Sequence, residues 1–259
     1  MNPSNPMGLE PQAREFYQSA MNIFNQHRLP FLVGGAYAFA RYTGVERHTK
    51  DFDIFVRPTD VERALQIMQR YGFRVELTDK IWIAKIFSNG NYVDLIFGSA
   101  NDVARVDEQW FEFAIPNEVL DLPALLIPPE EMIWSKAFIM ERDRFDGADI
   151  NHVIKQCADK LNWIRLEQRF GDHWRVLLVH LIMFGLVYPG ERNKIPRILM
   201  QDLLRKLEAE VASSADLGEQ ICAGQLLSAT QYLVDLDKWG YRPALQIDLL
   251  ADESDDEAA

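Results

Sequence analysis

The sequence predicts an α/β fold of α+β type, with a small mixed sheet in the first half and a helical region after it. Three observations predict it. Phe31-Leu32-Val33 runs into Gly34-Gly35 and then a helical stretch, the pattern of a strand-to-helix turn. Further strand signals follow at 51–56, 73–77, 81–87 and 92–97, the last two joined by Asn89-Gly90. From Pro128-Pro129 onward the apolar residues recur at helical spacing.

The first helix starts near Pro11, a good first-turn residue, and Ala13, Phe16, Tyr17, Ala20, Ile23 and Phe24 form its apolar face. Pro30 closes it. After the diglycine a helix spans Ala36 to about Tyr42, and Arg47 to Lys50 forms a polar, partly basic loop. A helix opens at Pro58-Thr59-Asp60 and stops at Gly72. With Asn89-Gly90 as a two-residue loop, Ser88 pairs with Asn91 and Lys85 lies opposite Asp94. Residues 111–127 read as a broken strand or loop region. Helices are then predicted over about 129–142, 147–158, 162–169, 172–187, 195–212 and 218–238. The organisation expected is a loose arm at 1–8, a core domain at 9–127, a helical domain at 128–247 and a disordered acidic tail at 248–259.

The 259 residues carry a net charge of −12, part of it in the tail. The body is acidic too, which argues against extensive nucleic-acid binding, since that relies on Lys and Arg. Two cysteines are too few for a disulfide framework, and no secretory leader is evident. The most apolar run, 176–187, is short of the ~20 residues a membrane helix needs. A cytoplasmic protein without membrane contact is expected.

Asp51 and Asp53 are separated by one residue on a strand, so their side chains share a face. Asp94 is a lone acid on a later strand. Three like charges brought together call for divalent cations between them. A diglycine at a strand-to-helix turn offers backbone amides and a helix N-terminus to phosphate.

Leu32-Val33-Gly34-Gly35-Ala36, Thr49-Lys50-Asp51-Phe52-Asp53-Ile54-Phe55-Val56 and Tyr92-Val93-Asp94-Leu95-Ile96 together resemble the polymerase β-like nucleotidyltransferase superfamily. The resemblance covers residues 28–97. It implies a two-ion Mg²⁺ site on Asp51, Asp53 and Asp94, with Asp94 also taking a proton from the acceptor hydroxyl. Gly34 and Gly35 would approach the β- and γ-phosphates. Many members have Gly-Ser at the diglycine, and Thr49 stands nearby as a candidate for the missing hydroxyl.

Lys136 falls within the apolar stripe of Met132, Ile133, Ala137 and Met140, and the run Glu141 to Asp149 follows it. This run looks like the Pro-x-Glu, Lys, Arg, Asp-x-x-Asp segment of abortive-infection toxin nucleotidyltransferases and their minimal relatives. That likeness implies that Lys136 contacts triphosphate and Asp149 supports it, with Asp146 a helix N-cap on the plainer reading. Lys85 can neutralise phosphate or pair with Asp94. Arg41, Arg47, His48 and Lys50 flank the site, and His173 and His180 read as core or interface residues.

The activity implied is transfer of a nucleoside monophosphate from an NTP to a hydroxyl acceptor of unknown identity (RNA, protein or small molecule), releasing pyrophosphate. A toxin-like module with an antitoxin partner is one version. An antibiotic-type small-molecule enzyme is another, and a non-catalytic nucleotide- or partner-binding relative a third.

Overall fold

The computed structural model describes residues 9–47, 49, 51–213 and 220–244. The N-terminal arm, His48, Lys50 and the acidic tail lie outside the described residues. The first half holds α1 (Pro11–Gln26), β1 (Leu32–Val33), α2 (Gly35–Thr43), β2 (Asp51–Phe55) and α3 (Val61–Arg70). Then come β3 (Arg74–Asp79), β4 (Ile83–Ser88), β5 (Asn91–Ile96), α4 (Glu108–Glu112), β6 (Ile115–Val119) and β7 (Leu122–Leu126). The predicted face of α1 is buried, with Met21 added to it.

Seven strands form one mixed sheet in the order β3-β4-β5-β2-β1-β7-β6. The β4–β5 hairpin has the predicted register, with Ser88 opposite Asn91 and Lys85 opposite Asp94. Its turn carries φ of 48° at Asn89 and 80° at Gly90, both left-handed, as a two-residue turn matching the strand twist demands. The broken region at 111–127 resolves into a short helix and a second hairpin, β6–β7, whose inner strand joins the sheet parallel to β1.

Parallel pairing of β2 with β5 sets Asp51 opposite Tyr92 and Asp53 opposite Asp94. One face of β2 buries Phe52 and Ile54 completely. There Tyr17 stacks on Phe52 and Tyr37 meets it edge-on, each at 4.9 Å between ring centroids. The other face carries Asp51, Asp53 and Phe55. Phe55 stacks on Trp110, and Trp110 touches Trp134 of the helical half, so this face looks toward α5.

The helical half comprises α5 (Pro129–Ala137), α6 (Gly147–Cys157), α7 (Trp163–Phe170), α8 (Trp174–Val187) and α9 (Arg197–Ala212). Three predicted bounds are corrected. The helix expected over 129–142 stops at Ala137, because the chain turns back to bridge Met140 with Phe145. The long helix expected over 218–238 is instead a short β8 (Ile221–Cys222), a 3₁₀ turn, α10 (Leu233–Asp237) and β9 (Arg242–Pro243). Polar and small residues at 223–231 give that segment no continuous apolar stripe to bury. The apolar run at 176–187 belongs to a longer helical stretch, Trp163–Val187, whose 25 residues are long and apolar enough to cross a membrane by length and composition; 39% of its most apolar window is buried in the fold.

A buried ionic cluster joins the halves. Arg165, 5% exposed, donates to Glu130 Oε2 at 2.5 Å and Glu131 Oε2 at 2.9 Å. Arg169 donates to Glu131 at 2.9 Å and to Asp107, before α4, at 2.6 Å. Nothing in the sequence pattern singles out these residues.

Candidate functional site

Asp53 is the centre of the acid cluster, on β2 with Asp94 beside it on β5 and Asp51 two residues along the same face. Burial, then Asp51 and Asp94, push its carboxyl up to about 7, while Lys136 and Arg144 pull the other way. Burial also raises Asp94, against the opposing hold of Lys85 Nζ, 2.6 Å from its Oδ1. The Thr49 hydroxyl bonds the Asp51 side chain and, at 3.2 Å, its carbonyl. Two phenols feel the cluster from below. Burial and then Asp51 lift Tyr17 to about 12, and burial raises Tyr37, whose hydroxyl has no partner among the described residues.

The diglycine is packed against these acids. Gly35 has φ of 52°, and a Cβ there would lie 1.6 Å from Asp53 Oδ2. A Cβ on Gly34 would meet the Phe55 ring at 2.2 Å. Both positions therefore exclude side chains for steric reasons. Gly34 N–H donates to the Asp53 carbonyl at 3.0 Å, and its own carbonyl accepts the first bond of α2 from Ala38. The helix donors left for an anion are those of the first turn, from Gly35 to Tyr37.

From the facing helices comes a second layer of charge. Lys136, in the last turn of α5, reaches Asp146 at 2.6 Å and Asp149 at 3.0 Å. Asp149 also pairs with Arg47 at 2.6 Å, tying the loop before β2 to α6. Asp146 occupies the N-cap position of α6, but its side chain makes no capping bond. It is taken by Lys136 and Arg144. Burial works to raise the Asp146 carboxyl, but Arg144 and Lys136 outweigh it and hold it low. Arg144 is the site residue that sequence reasoning missed; its only signal was membership of the charged run 141–149.

All nine singled-out positions (Gly34, Gly35, Thr49, Asp51, Asp53, Lys85, Asp94, Lys136 and Asp149) thus fall on the β1–α2 turn, β2 and the loop just before it, the β4–β5 hairpin and the ends of α5 and α6 that face them. Among the described residues, no group of three His, Cys, Asp or Glu side chains is gathered as a ready metal site. The donor chemistry nonetheless suits a hard cation: the acids offer carboxylate oxygens, and Asp53 is strained electrostatically by acidic neighbours that a cation would relieve. Of the histidines, His180 is buried, its Nε2 2.9 Å from the Ala137 carbonyl, and His173 meets Phe138 edge-on.

In fold the chain is similar to solved structures of antibiotic-modifying enzymes and of bacterial proteins. The antibiotic-resistance factor ANT(2'')-Ia is 17% identical, with a TM-score of 0.45 over 66% of this chain and 98% of that one. The lincosamide antibiotic adenylyltransferase LnuA is 16% identical, with a TM-score of 0.40 over 56% and 96%. JHP933 from Helicobacter pylori is 15% identical, with a TM-score of 0.35 over 82% and 100%. No family model matches the chain, and no curated protein is significantly similar to it.

Proposed function

We propose that the protein is a Mg²⁺-dependent nucleotidyltransferase that moves a nucleoside monophosphate from an NTP to an acceptor hydroxyl. The observation that carries the reading is the registry of Asp53 with Asp94, with Asp51 on the same face and Gly35 packed on Asp53 at the start of α2. A partly buried acid cluster at an open helix N-terminus is a poor device for stability and a good one for a metal-bound triphosphate. Mg²⁺, held by Asp51, Asp53 and Asp94, would neutralise triphosphate charge and acidify the acceptor hydroxyl.

The chain's own groups do the rest. First-turn amides of α2 receive the β- and γ-phosphates, and Lys136 turns from Asp146 and Asp149 to bind phosphate oxygens. Asp149 and Arg47 hold that lysine's surroundings in place, while Lys85 offsets charge beside Asp94. Thr49 keeps Asp51 oriented. Asp94, its carboxyl raised by burial, accepts the proton as the acceptor oxygen bonds to the α-phosphorus. The α–β phosphoanhydride bond breaks and pyrophosphate leaves.

The test is an Asp53→Ala variant incubated with α-labelled NTPs, Mg²⁺ and three acceptor pools: total RNA, protein and hydroxylated antibiotics. Parent protein labels one pool and the variant none; equal labelling by both overturns the assignment. The pool that takes label names the acceptor class. Absence of Mg²⁺-dependent NTP binding by calorimetry would instead favour a non-catalytic relative.

A further inference from the structure

A second cleft lies at the far end of the same helices. Lys136 closes α5 at the acid site, whereas Pro129 and Glu130 open it at this cleft. Likewise α6 begins beside Asp149 and ends here at Gln156 and Cys157. The eight-residue rise from Asp149 to Cys157 puts the two places about 12 Å apart along α6. The cleft encloses about 340 Å³, within the range of small-ligand sites.

Its charge runs against that of the chain. Arg41, expected to flank the acid site, stands here instead, exposed on the rim with Lys160; among the described residues neither makes an ion pair, and Arg41 donates to the Glu118 carbonyl at 2.9 Å. Glu130 also lines the cleft, but its carboxylate is already engaged by Arg165 at 2.5 Å and by the Asn162 amide at 2.6 Å. Arg165 is itself a lining residue, but it is nineteen-twentieths buried and its guanidinium is taken by Glu130 and Glu131, so it offers no free charge to the cleft. In a protein of net charge −12, two cations without an ion-pair partner on the rim of one cavity call for an anion.

The remaining lining calls for a flat ring. Phe113 keeps 38% of its surface exposed, with the Arg165 guanidinium 4.3 Å from its centroid, and Tyr42 lies close by. Asn117 and Asn162 each spend the side-chain oxygen on a neighbouring backbone N–H, which leaves their NH₂ groups as donors. Gln156 adds a third amide. Aromatic surface, amide donors and a pair of cations together suit a base, its edge and a terminal phosphate.

We infer that this cleft is a binding site for a nucleoside monophosphate, separate from the acid cluster and independent of the activity proposed for it. Calorimetric titration of the full chain without metal tests this, using AMP, adenosine and ribose 5-phosphate as probes. AMP should bind more tightly than either fragment. An Arg41→Gln/Lys160→Gln double variant, confirmed folded by circular dichroism, should weaken AMP by about tenfold or more, and Lys136→Gln should leave it unchanged. No AMP binding, equal AMP affinity in the double variant, loss of binding in Lys136→Gln, or ribose 5-phosphate binding as tightly as AMP would each overturn the inference.

Discussion

Gly35 and Asp53 are packed so closely that a single added carbon on the glycine would lie 1.6 Å from the carboxylate oxygen. The N-terminus of α2 and the strand that bears the acids are thereby locked at one spacing. Gly44 provides the comparison, with a similar left-handed φ of 72° but nothing within 4 Å. Gly44→Ala should cost about 1 kcal/mol from backbone strain alone, and Gly35→Ala at least about 2 kcal/mol once crowding is added. Urea unfolding of both variants checks the difference. Equal losses would mean that the contact with Asp53 is relieved at no cost.

Relief of the acid cluster by a cation should be visible as stabilisation. Adding Mg²⁺ should raise the melting temperature of the parent in a concentration-dependent way, since a ligand that binds only the folded state stabilises it. Asp53→Asn should abolish that response. A Mg²⁺ response of the same size in the variant would place the metal elsewhere.

Lys136 is expected to contribute to triphosphate binding. Removing one charge-assisted contact in Lys136→Gln should raise KM for the NTP about 10–100-fold, with a smaller change in kcat. Steady-state kinetics decides this, and an unchanged KM would confine Lys136 to its bonds with Asp146 and Asp149.

The cluster of Arg165 with Glu130 and Glu131 should matter for stability. Both glutamates are nearly fully buried, so Arg165→Met would leave Glu130 with no cation and only the Asn162 N–H, and Glu131 with Arg169 alone, at a cost of about 3 kcal/mol. Denaturant unfolding of the variant measures it. A loss below 1 kcal/mol would show that the glutamates find water or another partner.

Acid should weaken the fold through His180. Burial holds this imidazole below its ordinary pKa, with the bond to the Ala137 carbonyl opposing. The unfolded chain therefore takes up a proton at a higher pH than the folded one. The stability contributed is complete above the ordinary histidine pKa and declines as pH falls below it toward the depressed value. Between pH 8 and pH 5 the parent should lose more stability than His180→Gln, as followed by thermal melts. Parallel losses would exonerate this histidine.

Much of the candidate site was legible in the sequence because its parts are local. A diglycine after an apolar strand, an Asp-x-Asp on a strand, and Asn-Gly between two strands each specify backbone over a few residues. The hairpin turn even set Lys85 against Asp94, since two-residue loops fix register and alternation fixes the face. Arg144 was not legible, because exposed charges in a run look alike until a neighbour selects one of them. The helix expected over 218–238 was misread for a related reason: short apolar stretches there suit either state until the Met140 loop and Asn101 provide contacts, at the carbonyls of Leu227 and Leu226.

What the sequence by itself determined is the set of local devices: where turns fall, which residues share a strand face, and that charge clusters oppose apolar stripes. Only the tertiary structure decided that β2 runs parallel to β5 with Asp53 beside Asp94, that β7 slots in next to β1, and that Arg165 meets Glu131 across 34 residues. The physical reason is that pairing between distant segments carries no local signature. It is chosen by the total apolar surface the whole chain can bury, with each buried charge then matched to a partner.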